Sequence, residues 1–384
     1  MDVDPMDVNP MDDDAMPVDA MDSAVLNARP RAMSADAGSS GLGRPRDGAE
    51  RLRGRPSDQY GARSQGGATD GPLYLGPDAT ARLRGGVATA SSHAALDAPG
   101  DDAVDYALVD THCHLDADAF EDETTTDLLG RARRAGVTRL VTIGTDLAAS
   151  ARAVRLARYH HEVWATVGID PNDLPIDGTP LTSGMLAEVE ALAKAPRVVG
   201  IGEIGLDYYW NRTSHDVQRA AFEAQLALAQ RLGLPVVIHS RDADADTEAI
   251  LRAWSTAHPW RSSTRDAPPI VASRPLGVMH CYAGDVALAE RYVALGFQIS
   301  LSGIVTFKNN AVTHEVARAL PLESLVLETD SPYLTPHPHR GKRNEPAYVR
   351  LIAEHVATLR GIDVAAVARA TSASAARLFG WEAA

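Results

Sequence analysis

The chain has 384 residues, is 45% hydrophobic and 23% charged, and carries a formal net charge of −14. That balance describes soluble globular material and excludes a broad basic surface for non-specific nucleic-acid binding, though not a local basic patch. No run approaches the roughly 18 apolar residues of a transmembrane helix, the N-terminus lacks the basic-then-apolar order of a secretory signal, and the two cysteines, Cys113 and Cys281, form no disulfide framework and suit a reducing cytoplasm.

The first 104 residues open on the acidic near-repeat MDVDP-MDVNP-MDDDAM and continue into a Gly/Arg/Pro/Ser/Asp-rich stretch. Neither part holds a helical or strand period. Such a segment buries too little apolar surface to offset its ordering entropy, so it reads as a disordered extension. An acidic interaction tail or a regulatory arm is the functional alternative. Deleting residues 1–100 is expected to leave thermal stability and turnover unchanged; a fall in the Tm or activity of the truncated protein contradicts this.

From Tyr106 onward short apolar runs alternate with amphipathic segments. The runs at 107–110, 139–143, 163–167, 198–202, 235–238, 276–279, 297–301 and 325–327 read as strands. Helix-like stretches at 122–136, 146–160, 184–195, 215–232, 242–254 and 284–295 lie between them. Continuous apolar strands separated by helices indicate a parallel sheet covered on both faces. The 105–384 region is therefore expected to be an α/β domain, a (β/α)8 TIM barrel. A doubly wound open sheet is the alternative, because periodicity alone does not reveal closure. The polar, Pro-containing segment 258–275 reads as an insertion at a loop tip.

Polar residues sit where these strands end: Asp110-Thr111-His112-Cys113-His114 after the first, Gly202-Glu203-Ile204-Gly205-Leu206-Asp207 after the fourth, His239-Ser240-Arg241 after the fifth, His280-Cys281-Tyr282 after the sixth and Glu328-Thr329-Asp330-Ser331-Pro332 after the eighth. In a barrel these ends meet at the C-terminal mouth, where active sites of this fold lie. Residues two apart on a strand share a face, so His112 and His114 can bind one metal while Cys113 points away. Imidazoles together with carboxylates suit Zn, Mn, Mg or related ions, and two such half-sites joined by a carboxylate would hold two. A lone HxH pair is weak evidence, and His239 alone could be a core histidine. Five such strand ends are harder to explain by packing, because each buried polar group without a partner costs roughly 1–3 kcal/mol. The remaining histidines, such as His160, His161, His215 and His355, read as helix-end or solvated residues. After the eighth strand, Arg340, Lys342 and Arg343 cluster in a Pro/Gly-shaped loop. Together with Arg241 they are the candidate phosphate-binding residues, since Arg offers bidentate contacts; an ordinary solvated loop is the plain alternative.

The blocks DTHCHLD, GEIGLDYY, PVVIHSRDA, MHCYAGD, SGIVTFKN and LETDSPYLTPHPHRGKRNEPAYV, in this order between Tyr106 and Phe379, resemble the TatD family of metal-dependent deoxyribonucleases within the amidohydrolase superfamily. The resemblance implies a TIM barrel that hydrolyses DNA phosphodiester bonds on two divalent ions. It implies His112 and His114 on the first ion, His239 and His280 on the second, Glu203 bridging, and Asp330 completing the first site and acting as base on the attacking water. Many amidohydrolases place a carboxylated lysine on the fourth strand; here Glu203 takes that position. One block departs from the family. Gly168-Ile169-Asp170-Pro171-Asn172 puts Asp170 where the family often has a histidine, and so adds negative charge beside the expected phosphate. DNA is the expected substrate, with a hydrolase of a different ester or amide on the same scaffold, or a non-catalytic scaffold, as the alternatives, and neither a membrane nor an obligate protein partner is expected.

Overall fold

The computed structural model describes residues 105–210, 212–257 and 274–381. The expected disordered extension at 1–104 and nearly all of the expected insertion at 258–275 lie outside the described residues.

Eight parallel strands form one sheet in sequential order: β1 (Leu108–Cys113), β2 (Val137–Ile143), β3 (Val163–Val167), β4 (Val198–Asp207), β5 (Val236–Arg241), β6 (Gly277–Met279), β7 (Phe297–Leu301) and β8 (Leu325–Leu327). A helix follows each: α1 (Thr125–Arg134), α2 (Leu147–Tyr159), α3 (Ser183–Ala193), α4 (His215–Leu232), α5 (Asp244–Ala257), α6 (Val286–Leu295), α7 (Ala311–Ala319) and α8 (Val349–Arg360); α9 (Val364–Phe379) ends the fold. The helix boundaries follow local chemistry. Thr124, Asp146, Thr182, Ser214, Asp285 and Asn310 cap the N-termini of α1, α2, α3, α4, α6 and α7 by accepting a backbone N–H. Gly233 and Gly296 end α4 and α6 in the left-handed region.

The sheet closes into the expected barrel. Asp330 N donates to His112 O at 2.9 Å, His114 N donates to Ser331 O at 2.8 Å, and the Thr111 hydroxyl donates to Leu327 O at 2.9 Å. A parallel bridge joins Cys113 to Ser331. Closure thus runs through the candidate ligands themselves, and the open-sheet alternative does not apply.

The core has two layers. Outside the barrel, Leu108, Leu140, Ile201, Ile238, Ile299 and Leu327 pack against helix residues such as Leu129, Phe222 and Val356. Inside it, Val109, Val141, Val199, Val237, Val278 and Val326 fill the bore, and Leu378 and Phe379 at the end of α9 join them. Each fully buried Leu or Phe contributes about 1.5–3 kcal/mol. The filled bore makes a solid floor beneath the C-terminal mouth.

Three strands run further than their apolar runs. β1 continues to Cys113, β4 to Asp207 and β5 to Arg241. The polar residues there keep pairing with their neighbours, as in Gly205 with His239 and Asp207 with Arg241. Hydropathy ended the expected strands early because these side chains face a polar cavity rather than the core.

Candidate metal centre

Alternation along β1 does not by itself aim the two histidines. Leu108 faces the outer layer and Val109 the bore, so strict alternation would send Cys113 inward. Instead Cys113 lies in the outer layer, its thiol donating to Val141 O, because the register shifts between Asp110 and Cys113. A bulge of this kind re-aims side chains. Asp110 holds it in place: its carboxylate accepts from Thr329 Oγ1 at 2.6 Å, Thr329 N at 2.9 Å and His112 N at 3.3 Å. Burial nevertheless pushes the Asp110 carboxyl up to about 8.

His112 Nε2 and His114 Nε2 converge to 3.3 Å. Asp330 Oδ1 lies 3.4 Å from His114 Nε2 and 3.7 Å from His112 Nε2. On the other side, Glu203 Oε1 meets His239 Nδ1 at 2.9 Å and His280 Nε2 at 3.1 Å, while Glu203 Oε2 reaches His112 Nε2 at 3.4 Å. Ile204 and Leu206 face the outer layer, so Glu203 and Asp207 share the inner face of β4. Between them Gly205, at φ +148°, lies against β5 where a Cβ would overlap the His239 carbonyl oxygen. Glycine there lets the Glu203 and His239 strands approach closely.

His112, His114 and Asp330 form one group of donor atoms close enough to share an ion, and Glu203, His239 and His280 form another. A third combination, His112, His280 and Glu328, is equally compact. Glu328 is otherwise engaged, however, accepting from Cys281 N and from the Ser300 hydroxyl, each at 2.6 Å. The six residues expected from the sequence are therefore brought together. The residues fit metal ions: Asp330 is fully buried, and neither of its carboxylate oxygens has a hydrogen-bond partner among the described residues. A buried carboxylate left so would cost several kcal/mol without a cation.

The facing carboxylates favour protonated imidazoles. Burial pulls the His114 imidazole down, but Asp330 outweighs it and raises it to about 9. Burial likewise opposes the charged form of His239, which Asp207 and Glu203 raise to about 10. Burial disfavours a charged Glu203, yet His280 and His112 hold it well below the usual carboxylate range. Metal binding must displace such protons.

Two carboxylates at these strand ends carried no assigned role in the sequence. Asp207 Oδ2 lies 3.0 Å from His239 Nε2, and Glu328 Oε1 lies 3.2 Å from His280 Nδ1. Asp207, hydrogen-bonded to His239, fixes which ring nitrogen of that histidine faces the centre, and Glu328 faces His280 Nδ1 as a charge partner. Their signal was present as an acid at a strand end, but only pairing across strands shows which histidine each one serves. Asp207→Asn is expected to weaken metal binding about 10–100-fold, read by titration of the metal-free protein. Unchanged affinity would mean that Asp207 does not orient His239.

The centre opens into a cavity of about 280 Å³ lined by His114, Asp116, Asp118, Arg152, Asp170 and Trp210 among others. Asp170 is buried there, its Oδ1 accepting from Asn172 N, and burial, reinforced by Glu203, raises its carboxyl to about 7. None of the four expected phosphate residues lines this cavity; Arg152, paired with Asp116 at 2.9 Å, is the arginine that does. Arg340 covers the Phe307 ring, Arg343 pairs with Glu123, and Lys342 is exposed. Arg241 shares the inner face of β5 with His239, as expected, and its guanidinium covers the Tyr209 ring at 3.8 Å. His160 and His161 follow α2, His215 begins α4 and His355 lies within α8, as the sequence indicates. No described helix is long and apolar enough to cross a membrane.

A sequence profile of TatD related DNases matches residues 109–380. A metal-dependent hydrolase of Bacillus subtilis, YabD, is 36% identical over 272 residues, covering 71% of this chain and 98% of its own. A Klebsiella pneumoniae protein named 3′-5′ ssDNA/RNA exonuclease TatD is 35% identical over 259 residues, covering 66% of this chain and 91% of its own. The crystal structure of the TatD homologue YJJV from Escherichia coli superposes with a TM-score of 0.63 at 28% identity, covering 72% of this chain and 98% of that one.

Proposed function

The chain belongs to the TatD related DNase family and is a metal-dependent hydrolase; on that premise we propose that it hydrolyses DNA phosphodiester bonds on two divalent ions, acting on single strands or 3′ ends. The observation that carries this reading is the Asp330 carboxylate, buried with no hydrogen bond among the described residues, 3.4 Å from His114 Nε2 and joined through His112 and Glu203 to His239 and His280. The relative named as a 3′-5′ ssDNA/RNA exonuclease supports the substrate class. The cavity size is compatible with a single strand. At about 280 Å³ it is just below the range of roughly 300–1,000 Å³ for ligand pockets, with room for one phosphodiester of a single strand.

Divalent Mg, Mn or Zn bound here would supply positive charge for the phosphate oxygens and lower the pKa of the attacking water. His112, His114 and Asp330 would hold one ion and His239 and His280 the other, with Glu203 shared between them. Asp330 would take the water's proton as the oxygen bonds to phosphorus, and the ester oxygen would leave and pick up a proton. Asp207 and Glu328 would keep His239 and His280 turned toward the centre. Arg152 would meet the phosphate inside the cavity, while Arg241, Arg340, Lys342 and Arg343 would meet the strand outside it.

One observation favours a second reading. Asp116, Asp118, Asp146, Asp170, Asp173 and Glu203 line the cavity against the single arginine Arg152, a field that opposes a polyanion and suits an uncharged ester or cyclic amide. Metal analysis combined with activity on single- and double-stranded DNA, with free and blocked 3′ ends, separates the two. Metal-dependent cleavage of single strands supports the nuclease. Hydrolysis of a carboxyl ester with no DNA cleavage under Mg or Mn overturns it.

A further inference from the structure

Beyond the metal ligands, the turn after β4 carries two aromatic residues whose placement the hydrolytic chemistry does not use. Tyr209 is 54% exposed although it is large and hydrophobic, and Trp210 lines the cavity beside Glu203 and His239. Their rings meet edge to face, with centroids 5.2 Å apart and planes at 88°. Arg241 covers one face of Tyr209, its Cζ 3.8 Å from the centroid, and lies 5.9 Å from the Trp210 centroid.

The turn is held from two directions. Asp207 Oδ1 accepts from Tyr209 N at 3.0 Å and from Trp210 N at 2.9 Å, while Asp207 Oδ2 contacts His239 Nε2. One carboxylate therefore fixes both the aromatic pair and a metal-ligating histidine. Next to it, Tyr208 is drawn the other way: its hydroxyl donates to Asp246 Oδ2 at 2.6 Å, Arg219 bonds both of these groups, and His215 stacks on its ring at 3.5 Å. With Tyr208 clamped against α4 and α5, the next two rings are presented at the mouth.

We propose that the exposed Tyr209 ring is a base-stacking platform, braced edge to face by Trp210, positioning a nucleobase of a single strand so that its adjoining phosphate enters the cavity beside His239. The proposal rests on the nuclease reading and deepens it. An exposed ring backed on one face by a guanidinium, beside a cavity that Trp210 lines, is an arrangement by which proteins grip single strands without reading sequence. Bases stacked inside a duplex offer no free faces, so the platform selects unstacked nucleotides of single strands. It also gives the acidic cavity a hold on nucleic acid that does not depend on phosphate attraction.

The test compares a short oligothymidylate with the same oligomer carrying abasic tetrahydrofuran residues, in the presence of Mg or Mn. The full-length protein is expected to prefer the base-bearing oligomer. In Tyr209→Ala and Trp210→Ala the ratio of kcat/KM for base-bearing over abasic substrate is expected to fall roughly 5- to 150-fold, the range for one lost stack. The loss should appear mainly in KM, and Trp210→Phe should restore most of it. Tyr209→Ala is the clean arm, because that side chain is exposed and its removal does not open the core. A ratio unchanged in Tyr209→Ala and Trp210→Ala overturns the platform. If the parent cleaves neither oligomer, the nuclease reading fails separately. The platform is then decided by the affinities for thymidine 5′-monophosphate and deoxyribose 5-phosphate: a preference lost in Tyr209→Ala supports it, and equal affinities in the parent overturn it.

Discussion

Asp330→Asn should fold and yet hydrolyse single-stranded DNA about 10³-fold or more slowly than the parent, measured as kcat at saturating metal. A positioned general base contributes about 10²–10⁴-fold, and this one is also a candidate ligand. The fold should survive, because the backbone of Asp330 still donates to His112 O and closes the barrel. The side chain makes no hydrogen bond of good geometry among the described residues, and what Asn gives up is the charge pairing with His114 at 3.4 Å. A metal site filled at 100 times its Kd adds about 2.7 kcal/mol, which in a domain of this size raises Tm by roughly 4–5 °C. The variant should lose that increment for the His112–His114 site and retain it for the Glu203–His239–His280 site. A kcat within tenfold of the parent would remove Asp330 from the chemistry, whatever its metal content.

Glu203→Gln should have the broader effect, since Glu203 is the one carboxylate in contact with His112, His239 and His280. Both half-sites should weaken, and activity should fall to background. Without metal the variant should also be less stable, by about 3 kcal/mol. That is the low end for breaking a buried ion pair, because Asp207 and Glu328 still face the same two imidazoles. This difference has a defined pH dependence. His239 is raised to about 10 in the folded protein, so its pairing stabilises fully below its unfolded value of about 6.5 and is lost as pH rises through about 10. Glu203 is depressed, so its contribution is present above about 4.5 and is lost as pH falls through its lower folded value. The gap between parent and variant, measured by urea unfolding of the metal-free proteins, should be widest near pH 5–6 and narrow toward pH 10. A gap independent of pH would show that Glu203 stabilises by packing and not by charge.

The strand positions could be read from hydropathy because the barrel core is made of short Val/Ile/Leu runs, as at 163–167 and 297–301, where expected and observed bounds coincide. The reading fell short where strands turned polar. Glu203 to Asp207 and His239 to Arg241 continue β4 and β5, but an apolar run gives no signal for residues that face a polar cavity. The loop cations Arg340, Lys342 and Arg343 illustrate the opposite difficulty. Their clustering in the sequence was plain, yet Arg343 turns to Glu123 and Arg340 to Phe307, while Arg152 from α2 reaches the cavity.

By itself the sequence determined which groups are available: four imidazoles and two carboxylates, each tied to a strand whose C-terminal end must lie at one mouth once the strands are parallel. It could not determine aim. That His112 and His114 face inward depends on the register shift that Asp110 holds through Thr329, 219 residues away. That Asp207 serves His239, and Glu328 serves His280, depends on neighbouring strands lying in register. Side-chain alternation is local and can be read along the chain. The phase of that alternation, and the partner across the gap, are set by hydrogen bonds between segments far apart in sequence, and these exist only once the barrel has closed.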